Sequence, residues 1–460
     1  MVQKYDCLII GAGMSGLAAG IRLGMFGKKV CILEKHTIPG GLNSYYKRKS
    51  YLLDVGLHAL TNFSAKGERK GPLPKIFRQL RIPYDKFRLS EQIESKIIFP
   101  EHQLTFTNNI ERLISEIHQS FPHETDGFIK LIEMIKTYDA LSLNDGYLSA
   151  KQVVGEFIKD PILKEMLFTA PLIYGSAWEN DMDFSQFVIM FESLYLEGLS
   201  RPFGGVRTII SSLEEKLNSH NVDIRYRSGV KRIITEGVKA VGVELLNGEI
   251  LKSENILSSA GLPETMNLVE GIAPEFKTGG LSFTESILIF KDKPKSFEAE
   301  STLIFYNNDK VYKYQRPDTL VDFSSAVVCF PNNFEKDDLK EGMIRITNIA
   351  NFKKWDMLDR KTYLAEKENV YQKAVGLIKK LYPKFDQEIL YKDVFTPKTV
   401  KKFTGHFDGA VYGSTEKRKD GTTPFKNLYI CGTDQGFLGI VGSMLSGISM
   451  ANLHVLMGDK

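Results

Sequence analysis

Cysteine is scarce in this chain of 460 residues: Cys7, Cys31, Cys329 and Cys431 share no C-x-x-C spacing and have no partnered histidine cluster. That set supports neither a zinc site nor a disulfide framework, so no metal is expected. Three of the four sit in apolar strand-like runs, where a thiol behaves as a small buried hydrophobe. Net charge is small as well, at +4, and with no recognition motif beside it a nucleic-acid partner is excluded. No apolar run reaches the roughly 18 uninterrupted residues of a membrane-crossing helix. With the first strand starting at once, no cleavable leader is expected. The expected location is cytoplasmic, with docking on a membrane surface left open. Internal repeats and low-complexity tracts are absent, and at this length, with 43% apolar residues, two or more folded domains are expected.

Glycine is where the sequence speaks. An apolar strand runs from Asp6 into Gly11-Ala-Gly13-Met-Ser-Gly16, and a second strand, 30–33, ends at Glu34. A G-x-G-x-x-G between a strand and a helix, with an acidic residue closing the next strand, is a dinucleotide fingerprint. Gly11 permits the tight turn, Gly13 leaves room for a pyrophosphate, and Gly16 lets helix and strand pack closely. The helix beginning there aims free N–H groups and its positive dipole end at phosphate. Glu34 is placed to accept from ribose hydroxyls and disfavours a 2′-phosphate. Near the other end of the chain, Asn427-Leu-Tyr-Ile-Cys-Gly432-Thr-Asp434 leads through Gly436, Gly439 and Gly442. Two such segments gripping one molecule point to FAD rather than NAD. No second G-x-G-x-x-G exists, so a resident NAD(P)H domain is not expected.

Between these ends, paired Gly40 and Gly41 give a sharp turn that lets backbone pass close to a ring or diphosphate. From about residue 73 to 200 the pattern turns helical, with apolar residues at i, i+3, i+4 spacing over 74–80, 110–120, 127–138 and 185–196. This reads as an inserted helical cap. A helix is expected from 204 to 218, followed by strands at 222–227 and 230–236. The hairpin 241–252 carries Asn247-Gly248, a type I′ signal. A short strand, 256–260, returns to the nucleotide sheet, and a helix covers 363–382. The expected fold is α/β: a Rossmann-type FAD-binding domain (1–72, 204–280 and 401–460) with a discontinuous α+β substrate domain and helical cap (73–203 and 281–400).

Together P-G-G at 39–41, D-x-G-x-H at 54–58, P-x-G-G at 202–205, N-L-Y-I-C-G-x-D at 427–434 and G-x-x-G at 439–442 form a recognisable set. It resembles the phytoene desaturase, carotenoid isomerase and retinol saturase group within the flavin amine oxidase superfamily. The resemblance covers essentially the whole chain. It implies non-covalent FAD, a hydrophobic tunnel ending at the flavin, and a polyene or other isoprenoid substrate delivered from a membrane. It also assigns Gly11, Gly13 and Gly16 to the phosphates, Glu34 with Lys35 to the ribose, and Gly40, Gly41, Leu42 and Asn43 to the diphosphate and flavin side. Val230 falls to the adenine, Gly432 and Asp434 to the ribityl and diphosphate, and Gly439, Ile440 and Val441 to the turn facing the flavin pyrimidine edge.

Two departures push towards the saturase or isomerase side. Leu42 and Asn43 stand where desaturases carry a basic residue, and His58 follows D-x-G. His58 either protonates a polyene, positions the flavin, or is a hydrogen-bonded structural histidine. A tunnel lining is expected from Phe168, Leu172, Tyr174, Trp178, Phe187 and Phe191, with a packed cap core as the alternative. The electron partner is open between oxygen, a quinone and transiently bound NAD(P)H. Two other classes stand beside this reading: a flavin-dependent amine or amino-acid oxidase, which needs an aromatic cage, and a lipid-binding escort like the Rab GDP dissociation inhibitors, against which Glu34 and the C-terminal glycine turn speak. From Tyr45 to Arg88, eleven basic residues face three acidic ones around an amphipathic stretch at 73–80, a composition suited to an anionic membrane surface.

Overall fold

Two seven-stranded sheets organise the computed structural model, which describes residues 4–142, 146–271 and 276–458. The first runs in the order Val230–Glu236, Lys239–Leu245, Ile250–Ser258, Lys4–Ile10, Val30–Leu33, Asp223–Arg225, with Leu428–Ile430 on the free flank of Ile250–Ser258. Cys7, Leu8 and Ile9 are fully buried, as a parallel strand covered on both faces requires. The strand Ile250–Ser258 has three partners, two of them in succession along one flank. Its start pairs antiparallel with Gly242–Glu244, and the rest pairs parallel with Lys4–Ile10 and with Leu428–Ile430. The short strand expected at 256–260 is therefore the second half of one nine-residue strand.

The helices Met14–Gly24, Val206–Ser219 and Gly439–Met450 share one core with the sheet residues Cys7, Ile9 and Ile32. Met14–Gly24 and Gly439–Met450 touch backbone to backbone, since a Cβ on Gly447 would stand 2.0 Å from the Ser15 carbonyl oxygen. The stretch Gly439–Leu456 is long and apolar enough to cross a membrane by length and composition, and 56% of it is buried inside this fold. The helix Pro72–Leu80, expected in the cap, also joins this core through Leu73, Ile76, Phe77 and Leu80. Its apolar stripe finds the nucleotide-side helices before the chain reaches the second sheet.

That second sheet runs Ile389–Phe395, Ser282–Phe290, Gly342–Ala350, Ser325–Cys329, Leu303–Asn307, Ser95–Phe99, His102–Phe106. One face packs against the helices Ile110–Ser120 to Phe184–Phe191, and the other against Arg360–Leu381. Phe305 and Tyr306 show the alternation, each in a different core. Asp359 starts the long helix by accepting from the Lys361 and Thr362 N–H groups. The Asn247-Gly248 hairpin is not type I′. Gly248 has φ 86° while Asn247 is not among the positive-φ residues, and the Gly248 N–H returns to the Leu245 carbonyl. A type I′ turn needs both central residues left-handed; here the left-handed glycine closes a longer loop.

Candidate functional site

Both glycine-rich helix starts face one cavity of about 1950 Å³. Neither Met14–Gly24 nor Gly439–Met450 has a side-chain cap, so their first N–H groups are free for an anionic or carbonyl-bearing ligand. Gly11 takes φ 91°, a conformation that side chains rarely adopt. Gly40 donates to the Ala12 carbonyl at 2.8 Å, and a Cβ on Gly41 would meet Gly13 Cα at 3.4 Å, so the two turns form a single floor. Glu34 is 6% exposed at the end of its strand. Its Oε2 accepts from Ala12 N–H and its Oε1 from His36 N–H, each at 2.8 Å. Each oxygen keeps a lone pair for a ribose hydroxyl.

Gly11, Gly13, Glu34, Lys35, Gly40 to Asn43, Val230, Gly432, Asp434, Gly439 and Ile440 all border the cavity. Burial lowers the Lys35 ammonium, with Glu34 opposing. Two of the expected contacts lie behind the wall. Gly16 supports the turn, and Val441 is fully buried in the core because its helix turns it away from the opening. Asp434, 1% exposed, has its oxygens engaged by the protein: Leu262 N–H donates at 2.7 Å, Ser414 N–H at 2.8 Å, and Lys417 Nζ lies 3.5 Å away. Its carboxylate ties loops together beneath the cavity. These residues fit FAD: uncapped helix starts for phosphate and flavin, a glycine floor, and a ribose acceptor. Glu34→Ala should weaken flavin binding by roughly 1–3 kcal/mol, the cost of an unmade buried hydrogen bond, read from the flavin-to-protein absorbance ratio after dialysis. Unchanged occupancy would remove Glu34 from the site.

Beyond the glycine floor the cavity continues between the sheets, bordered by Ile173, Tyr174, Met190, Phe283, Val327 and Tyr412. Of the six side chains expected to line a tunnel, only Tyr174 does so. Phe168, Leu172, Phe187 and Phe191 are fully buried, with Phe168 stacked on Phe187 at 4.7 Å, and Trp178 packs against the same core. The helix Pro161–Gly175 is buried on nearly all sides, so its sequence carries no stripe to tell tunnel from core. The Tyr174 hydroxyl is buried without a hydrogen-bond partner among the described residues. Its neighbour Tyr412 donates to the Ile173 carbonyl.

His58 reaches this inner region. Thr347 Oγ1 lies 2.8 Å from Nε2, Glu285 Oε2 lies 4.0 Å away, and Nδ1 has no partner among the described residues. Burial, with the Arg345 cation beside it, holds the imidazole well below the usual histidine range. The neutral ring is thereby favoured, with one nitrogen to donate and one to accept a hydrogen bond or a proton.

A polar pocket that the sequence reading missed adjoins the C-terminal glycine turn, where a Cβ on Gly439 would sit 3.7 Å from Thr61 Oγ1. Thr61 donates to Asn62, Asn62 donates to Glu197 at 2.8 Å, and Glu192 borders the same space. The segment Glu192–Leu196 is a π-helix, a form that collects at functional sites. Two acids in an otherwise apolar helical run were the available signal. Burial, opposed by the Asn62 amide, pushes the Glu197 carboxyl up from 4.5 to about 7. The folded protein thus holds a proton between those values that the unfolded chain has released. This contribution to stability is full below 4.5 and lost as pH rises through 7. Glu197→Gln should lose less stability than the parent between pH ~5 and ~8 in urea unfolding, and equal losses would refute the assignment.

Two groups of cations border the cavity: Lys75 and Arg78 on the helix Pro72–Leu80, and Arg48, Arg360, Lys398 and Lys402 elsewhere in the lining. Among the described residues no His/Cys/Asp/Glu group could hold a metal ion.

Comparison with known proteins agrees with this geometry. The family model described as flavin containing amine oxidoreductase matches residues 14–453. Prolycopene isomerase, chloroplastic, of Daucus carota is 27% identical, over 98% of this chain and 80% of that protein. All-trans-retinol 13,14-reductase of Danio rerio is 23% identical, over 98% and 87%. Among solved structures, an oxidoreductase from Methanosarcina mazei shares the fold with a TM-score of 0.66 at 16% identity, covering 97% of this chain and 99% of that one.

Proposed function

This chain belongs to the flavin containing amine oxidoreductase family, and we propose that it works on the carbon–carbon double bonds of a hydrophobic polyene or isoprenoid, by isomerisation, saturation or desaturation. It is an FAD-dependent oxidoreductase. The observation that carries the substrate class is the single cavity of about 1950 Å³, well above the ~300–1,000 Å³ of a one-ligand pocket, which joins the glycine floor to an apolar arm. That volume suits a flavin together with a second long molecule. Relatives named for prolycopene and all-trans-retinol support the same class.

When bound, FAD supplies two-electron chemistry. The protein's own part is to orient and to exclude water. Gly11 to Met14 and Gly439 hold the dinucleotide at the helix starts, while Ile173, Met190, Phe283 and Val327 exclude water and align an apolar chain. Neutral His58, its Nε2 beside Thr347, borders the same cavity and keeps Nδ1 for hydrogen bonding or proton acceptance. Anaerobic mixing of the yellow protein with polyenes, retinoids and amines tests this. Flavin absorbance changes or isomerised products should appear with polyenes or retinoids alone. Bleaching by amines alone would favour the amine oxidase reading, and a colourless protein the lipid escort.

The substrate enters from a membrane surface beside the helix Pro72–Leu80, and the protein itself is cytoplasmic and peripheral. The amphipathic helix there carries exposed Lys75 and Arg78 on the cavity rim. Anionic vesicles should pellet the protein at low salt, at about 1 kcal/mol per cation near the surface. Pelleting that is unchanged when Lys75 and Arg78 become glutamine would exclude this face.

A further inference from the structure

An electron partner has to reach the flavin, and the one dinucleotide turn in the chain is taken by FAD itself. A second cationic stretch of the cavity lining is built differently from the one on the helix Pro72–Leu80. It carries Arg48, Arg360, Lys367, Lys398 and Lys402, with Asp393 among them, while Glu264 and Glu285 line the cavity too. Asp393 is already engaged by the Tyr46 hydroxyl at 3.0 Å and by the Val394 N–H at 2.8 Å, Glu264 by the Phe407 N–H, and Glu285 by Arg345. Lys367 lies 3.9 Å from Asp393, and Lys398 lies 3.6 Å from Asp356. Arg48, Arg360 and Lys402 have no carboxylate partner among the described residues. Lys75 and Arg78, by contrast, share the cavity with Glu192 and Glu197.

Aromatic faces stand among these cations. Arg360, Lys367 and Lys398 approach the Tyr363 ring at 5.6, 6.0 and 5.8 Å, and Lys402 lies 5.4 Å from the ring of Phe403, itself 49% exposed. Unneutralised guanidinium and ammonium groups recognise phosphate, and the exposed Phe403 ring beside them recognises a flat heterocycle. A membrane surface needs no aromatic ring inside a cleft, and oxygen or a quinone needs no cation. We propose that this cationic stretch of the cavity rim binds a phosphorylated dinucleotide electron carrier of the nicotinamide class, transiently, next to the resident flavin. The proposal rests on the flavin site and not on the polyene reading.

Calorimetric titration of the flavin-loaded protein with NADP⁺ and with NAD⁺, at low and high salt, tests it. The triple variant Arg48→Gln, Arg360→Gln, Lys402→Gln serves as the comparison, and the visible absorbance of each sample reports its flavin content. Binding should be measurable with the parent, weaken with salt, and weaken roughly tenfold or more in the variant at equal flavin content. NADPH should also bleach the parent flavin faster than the variant flavin under anaerobic conditions, while dithionite bleaches both alike. Three results would each overturn the proposal: no binding to the parent, equal binding to parent and variant, or loss of flavin from the variant, which would make these cations part of the resident FAD site. A failure of polyene turnover leaves all of these readouts in place.

Discussion

Arg345→Ala is expected to lower folding stability by about 3–5 kcal/mol, the range for removing one partner of a buried ion pair. Arg345 is 2% exposed on the central strand Gly342–Ala350, paired with Glu285 on the neighbouring strand, and it also donates to the Leu57 carbonyl. It therefore joins the second sheet to the loop that carries His58. Alanine leaves the Glu285 carboxylate buried without its counter-charge and the Leu57 carbonyl without its donor. Urea midpoints measure the loss. The double variant Arg345→Met, Glu285→Leu should recover part of it, since an apolar pair carries no stranded charge. A single-variant cost below ~1 kcal/mol, or a double variant no better than the single, would show that the pair is not electrostatically buried.

Gly16→Ala is expected to abolish flavin retention. A Cβ there would stand 2.2 Å from the Gly11 carbonyl oxygen, and that atom is backbone and cannot swing aside. The phosphate turn would have to open. Overpacking of this kind costs ~1–3 kcal/mol, about five- to 150-fold in affinity if it falls on the holo state. Gly20→Ala on the same helix is the control. Its nearest neighbour, at 2.7 Å, is the Ile32 Cδ1 methyl, the far end of a flexible side chain. Gly20→Ala should stay yellow after gel filtration while Gly16→Ala elutes colourless. A yellow Gly16→Ala would mean that the turn is looser than its geometry.

The contrast between these glycines explains what the sequence could tell. Gly11, Gly13, Glu34 and Gly439 were legible because a tight backbone approach demands a particular residue type at a fixed spacing. Phe168, Leu172, Phe187 and Phe191 were not, because an apolar wall and an apolar core call for the same side chains, and only the packing of Pro161–Gly175 separates them. The hold of Leu262 and Ser414 on the Asp434 oxygens was not legible, because both lie far from it in sequence. The Asn62–Glu197 pocket joins residues 135 apart, with a local signal at one end only. The double partnership of Ile250–Ser258 escaped because its residues read equally well as a hairpin arm and as a return strand.

The backbone contact between Gly447 and Ser15 also bears on the order of events during synthesis. The turn from Gly11 to Gly16 is made more than 400 residues before the helix that closes over it. Until Gly439–Met450 docks, the growing chain presents half a grip, and the buried faces of Leu17 and Ile21 have no lid. Cofactor capture therefore waits for that helix, and free flavin in the cell draws the two distant segments together by mass action.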